Sequence, residues 1–215
     1  MTIDANFPRF IWRARVAAKL SDADPSRPLD AILYSAIALE AFPNDFADLI
    51  EVFSEHKPND FAVELLAVGR ILPELEKQRV QPRTKYQILY HLLTTSTFDP
   101  SKPPYQDFEF LLNIRNELVH PKCNLVRNEG EKGLVRYDQK TRKLISGMIG
   151  RGFLLHPNDP CMPWKMYLDN KKAADWAVET ACLMINAILD AVPECPFKNH
   201  IEHWRSPHSS MRKAV

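Results

Sequence analysis

The chain has 215 residues, 45% hydrophobic and 26% charged, with a formal net charge of +1. That make-up suits a globular domain with a sizeable core and excludes both a disordered polyelectrolyte and an overall polycation. No run approaches the roughly 20 apolar residues of a membrane helix, and the N-terminus carries Asp4 and Arg9 without a signal-peptide core, so a cytoplasmic protein with no membrane partner is expected.

Six glycines against seventeen prolines describe helices separated by proline stops. Four cysteines (Cys123, Cys161, Cys182, Cys195) are widely spaced with no C-x-x-C pair, which points to reduced thiols rather than a disulfide framework or a zinc site. No metal and no cofactor are expected.

In chain order, a first helix is predicted over Phe7 to Leu20 with Phe10, Ile11, Ala14 and Ala18 inward, ending at the loop Ser21 to Pro25. A second runs from about Leu29 to Ser54, with Leu29, Ile32, Leu33, Ala36 and Ile37 as its core arc. Glu40 falls near the centre of that arc, and Asn44 lies one turn further on. Pro43 between them predicts a kink.

A third helix, Asp60 to Val80, is expected to bend at Pro73. A fourth covers Thr84 to Ser96 with Tyr86, Leu89, Tyr90 and Leu93 inward and His91 at the surface.

The stretch Tyr105 to Lys122, YQDFEFLLNIRNELVHPK, follows the turn-forming run Asp99 to Pro104 and stops at Pro121. Phe108, Leu111, Leu112, Leu118 and Val119 share one arc, with Ile114 at its edge and Arg115 in its middle. A guanidinium cannot lose its proton to suit an apolar setting, so it must reach outward or meet a carboxylate, a phosphate or another chain. Glu40, the opposite charge in a second apolar stripe, is its natural partner, because either charge buried alone costs several kcal/mol. Asn116 and His120 sit one turn apart on the rim of the same arc.

Residues 122–151 carry eight Lys or Arg against three carboxylates, a balance of +5, and residues 196–215 have a balance of +3, leaving −7 for the remainder. This places basic charge just past His120, where a phosphate chain could be held by Lys122 and Arg127; a solvated basic face accounts for the same composition. Within this insert, Leu125 to Arg127 and Leu134 to Tyr137 suggest a short hairpin and Lys140 to Ile149 a short helix. Gly150 to Trp164 reads as irregular. A last helix, Asn170 to Val192, has Ala173, Ala174, Ala177, Ala181, Met184, Ile185 and Ile188 inward. His200, His203 and His208 in the tail lack a carboxylate or cysteine motif and are not read as metal ligands.

The fold class is therefore all-α, a helical bundle over residues 1–195 with a hairpin-bearing or irregular insert at about 122–151, followed by a basic tail at 196–215. The spacing Arg115-Asn116-x-x-x-His120, after Leu111-Leu112 and before Pro121, resembles the R-N-x-x-x-H signature of HEPN-domain proteins. Ala36 to Phe42 followed by Asn44 is similar to the early helix of that family, here with Pro43 intervening. The resemblance implies a homodimer with the arginine and histidine of both chains facing each other. Its activity would be metal-independent RNA cleavage, in many members by toxins or antiviral effectors, with an antitoxin or regulatory protein as a further partner. Other members are inactive modules that bind RNA, a nucleotide or a protein. Lys122 stands where some ribonuclease members carry a tyrosine.

RNA cleavage without a metal uses the ribose 2′-hydroxyl as nucleophile and needs proton transfer and stabilisation of charge on phosphorus oxygens. On this expectation His120 transfers protons, Arg115 holds the phosphate, Asn116 keeps the geometry and Glu40 orients Arg115, with Asn44 in support. His120 at a helix C-terminus is biased towards the acid role.

Overall fold

The computed structural model describes residues 5–57, 61–120, 127–128, 135–136, 138–153 and 164–205. It is all-α: α1 (Phe7–Leu20), α2 (Arg27–His56), α3 (Val63–Lys77), α4 (Pro82–Thr94), α5 (Tyr105–Val119), α6 (Gln139–Gly150), α7 (Lys171–Ala191) and α8 (Pro196–Ile201). A 3₁₀ turn at Trp164–Leu168 precedes α7. Between α5 and α6, β1 (Arg127–Asn128) pairs antiparallel with β2 (Val135–Arg136), which is the expected hairpin reduced to two residues a side. The same core runs from Phe7 to Ile201.

α2 is the central element. It packs on α1, α3, α4, α5 and α7, so most of its circumference is covered. Where α1 and α2 meet α7 the contact is made by Ala17, Ala18, Ala31 and Ala174, small side chains that let helix axes approach. At the crossing with α3, Gly69 serves the same end: a Cβ there would lie 2.7 Å from Ile50 Cγ2. The N-terminus of α1 is capped from α2, because Asp45 accepts the backbone N–H groups of Asn6 (2.8 Å) and Phe7 (2.7 Å). Its carboxyl is pushed above the ordinary value by burial, against the pull of those same hydrogen bonds.

Pro43 does not end α2, which continues to His56. A proline has no N–H to donate to the carbonyl four residues back, here Leu39. The hydroxyl of Tyr86 on α4 donates to that carbonyl instead, at 3.1 Å. Tyr86 is fully buried, stacked near Phe42 and 4.7 Å from the ring of Phe108, so one residue joins α2, α4 and α5 immediately behind Glu40.

The buried stripe of α2 is rotated from the expected one. Ala31, Ser35, Ala38 and Leu39 are at 0% exposure, whereas Leu33 and Ile37 are half-buried and outside the core cluster. On α5, Ile114 is fully buried rather than marginal, and Val119 is 47% exposed because the last turn runs past the core. α8, counted from sequence with the basic tail, packs inward: Phe197 is fully buried against Phe46, Phe53 and Phe61. His91 is exposed, as expected.

Candidate functional site

Three helices deliver the polar residues of one open cleft of about 170 Å³, lined by Glu40 of α2, Gln81, Pro82 and Arg83 at the start of α4, and Leu112, Asn113, Arg115 and Asn116 of α5. Arg115 is held from two sides. Its Nη2 donates to Glu40 Oε2 at 2.8 Å and its Nη1 to Asn116 Oδ1 at 3.0 Å. The pair is about three-quarters covered, with side-chain exposures of 24% and 28%.

The expected partnership of Glu40 and Arg115 is therefore present. Burial nevertheless pushes the Glu40 carboxyl above the ordinary glutamate value, and the opposing pull of Arg115 and of Lys85 does not cancel it. An ion pair whose carboxylate still resists ionisation returns less than desolvation costs.

Behind the pair lies a second one. Lys85 of α4, 6% exposed, donates to Glu76 of α3. Asn44 also bonds the Glu76 carboxylate, and that carboxyl sits below its ordinary value, chiefly through Lys85. Asn44 thus buttresses α3 and α4 and does not line the cleft. The polar residues run as a chain from Asn44 through Glu76 and Lys85 to Glu40, Arg115 and Asn116.

His120 caps the C-terminus of α5, its backbone N–H bonded to the carbonyl of Asn116 at 3.0 Å, with its side chain exposed. Glu109, Asn113, Asn116 and His120 recur at helical spacing, so one polar stripe leads along α5 from the cleft to the imidazole. Of the two expected phosphate contacts, Lys122 lies outside the described residues, and Arg127 is described only by its place in β1.

Among the described residues of the basic insert, Lys140 and Arg151 form ion pairs with α5. Lys140 pairs with Glu117, a 6%-exposed carboxylate of α5. Arg151 pairs with Asp107 at 2.7 Å. The residues that sequence reasoning missed at the cleft are Arg83 and Asn113, joined at 2.6 Å. Pro82 was the available signal: proline suits the first position of a helix, so α4 begins two residues before Thr84 and carries Arg83 into the bundle.

Among the described residues no group of three or more His, Cys, Asp or Glu is placed to hold a metal, and no helix is long and apolar enough to cross a membrane. No family model matches the chain, and no curated protein or solved structure matches it.

Proposed function

We propose that the protein is a metal-independent endoribonuclease of the HEPN type, acting where two copies bring their α5 C-termini together. The observation that carries this reading is Arg115 held by Glu40 and Asn116 at an open cleft, with an exposed His120 at the end of the same polar stripe. A guanidinium fixed in this way offers paired hydrogen bonds to phosphoryl oxygens, and an exposed imidazole can take the proton of a 2′-hydroxyl or return one to the leaving 5′-oxygen. One chain supplies one imidazole; two chains supply an acid and a base. Surface for a second copy is at hand in the exposed Val119 beside His120 and in the half-buried Leu33 and Ile37, which share the outward face of α2 with Glu40. A toxin or defence effector held by an antitoxin, working in the cytoplasm, is the setting in which such an activity is controlled.

The second reading is a non-catalytic module that binds RNA, a nucleotide or a protein through the same cleft. Lys122 in place of a tyrosine favours it, since that position adds a phosphate contact and no hydroxyl.

Incubation of the purified protein with RNA, with and without a chelator, decides between them. The expected outcome is cleavage that survives chelation and falls about 10²- to 10⁴-fold in His120→Ala, the range for loss of a general acid or base. Absence of cleavage, or cleavage untouched by the substitution, removes the ribonuclease reading.

A further inference from the structure

We infer that Arg83 is a second phosphate-holding cation, which together with Arg115 grips one phosphodiester group of a single-stranded RNA laid across the cleft. The inference rests on reading the cleft as an RNA site and adds the residue that fixes the strand to it.

A guanidinium has five N–H donors. In Arg83 both donors of Nη2 are engaged by α5, one by Asn113 Oδ1 at 2.6 Å and one by the backbone carbonyl of Glu109 at 3.2 Å. Nε and Nη1 have no partner among the described residues. Neither acceptor is charged, and among the described residues no carboxylate pairs with Arg83. By contrast, Arg115 and Arg151 each meet one and Arg205 meets two.

Half-buried, oriented by neutral acceptors and left with three donors, Arg83 keeps its full positive charge at the wall of the cleft. With Arg115 opposed by Glu40 alone, the cleft walls carry one net positive charge. The start of α4 adds to it, because Pro82 takes the first helical position and Gln81 makes no side-chain cap.

Size selects the ligand. About 170 Å³ admits a phosphate with a few waters, each water occupying roughly 30 Å³, but falls short of the ~300–1,000 Å³ of pockets that enclose a whole small molecule. A polymer that inserts one phosphate and drapes the rest along the α5 stripe towards His120 meets that limit.

The test is binding of a 2′-O-methylated single-stranded oligoribonucleotide, which cannot be cleaved through its own 2′-hydroxyl, to the full chain at several salt concentrations. Arg83→Gln is expected to weaken binding about tenfold, as loss of a charged hydrogen bond would. It should also lower the slope of log affinity against log salt by about 0.7, the value for one single-strand phosphate contact. Arg83→Lys should keep the slope. Inorganic phosphate should compete with the oligonucleotide on the wild type more strongly than on Arg83→Gln.

An Arg83→Gln protein with the wild-type slope overturns the inference even if affinity falls, because lost packing moves affinity without moving counterion release. Binding that depends on Arg115 but not on Arg83 leaves the ribonuclease reading standing and removes only this one. A wild type that binds no RNA removes both. Should Arg83→Gln melt far below the wild type, Arg83→Lys against Arg83→Met supplies the same slope comparison.

Discussion

Two half-buried arginines on neighbouring helices look alike by distance and differ in everything else. Arg115 meets Glu40 at 2.8 Å and Arg151 meets Asp107 at 2.7 Å, and both pairs are roughly a quarter exposed. Arg151, however, uses all three of its nitrogens: Nε and Nη2 on Asp107, and Nη1 on the carbonyl of Gly147. Its plane lies 4.0 Å from the ring centre of Phe110 and 5.6 Å from that of Trp176. It rivets the end of α6 to α5 and α7. Arg115 has no aromatic cover among the described residues, borders open space, and pairs with a carboxylate that burial keeps reluctant to ionise. A charge satisfied on every side stabilises a fold; one satisfied on half its edge beside a cleft has donors to spare, and on the proposed reading these meet phosphate.

The sharpest way to break that distinction is to exchange the consequences. Arg115→Ala should lower RNA cleavage per folded molecule at least 10²-fold, the loss typical of one transition-state donor, beyond whatever stability is lost by stranding Glu40. Arg151→Ala should cost stability alone. Losing a cation over two aromatic rings and stranding Asp107 costs about 2 kcal/mol after allowance for partial exposure, which lowers the melting temperature by several degrees. Cleavage per folded molecule should remain. Equal effects of the two substitutions on activity would show that both arginines only hold the bundle together.

Part of this contrast is legible in sequence. The Glu40–Arg115 pair is legible because each of two helices carries one charge of opposite sign in an apolar stripe, although Glu40 lies on the outward face of α2 with Leu33 and Ile37 and not at the centre of its core arc. α7 reads correctly because its inward side is mostly alanine, methionine and isoleucine, with Thr180 and Cys182 among the buried positions that the apolar pattern did not name. α2 is harder because it is covered on most sides. There the expected Ile32 and Ala36 are fully buried, but so are Ala31, Ser35, Ala38 and Leu39 on the neighbouring arc, while Leu33 and Ile37 are only half-buried.

Arg83, Lys85, Glu76 and Glu117 were not legible as partners. Each meets a residue on a different helix, and single-helix spacing carries no information on which helix lies alongside. The role of Arg151 is hidden in the same way, because in sequence it is one more cation in a basic run.

The frame behind Arg115 gives a smaller, structural test. Tyr86→Phe removes the donor to the Leu39 carbonyl that Pro43 leaves open, stranding a buried acceptor at a cost of about 1–3 kcal/mol. Thermal or urea unfolding measures it. If the comparison holds, α2 loosens beside Glu40, so cleavage falls together with stability. In Arg151→Ala the two separate. A Tyr86→Phe protein with unchanged stability would mean that the carbonyl finds water or another donor.

The mildest expected effect concerns Glu40 itself. Its carboxyl lies above the ordinary glutamate value because burial outweighs the pull of Arg115. The folded state therefore binds the proton more readily than the unfolded chain. That contribution to stability is full below the ordinary glutamate value and is lost as pH rises through the folded one, so Glu40→Gln should gain stability relative to the wild type over that rise. Affinity for RNA runs in the same sense. As pH falls through the raised value, Glu40 becomes neutral and the charge of Arg115 is no longer opposed, so wild-type binding strengthens. Glu40→Gln should bind about fivefold more tightly at neutral pH, roughly what one unit charge ~4 Å away contributes in water-like surroundings, and should lack the part of the rise on acidification that Glu40 supplies, any part due to His120 being common to both proteins. Titration of the uncleavable oligonucleotide at a series of pH values reads both. If Glu40→Gln instead binds more weakly at neutral pH, the carboxylate's chief service is to aim the guanidinium, and the Glu40–Arg115 pair is nearer in kind to Asp107–Arg151 than the open cleft suggests.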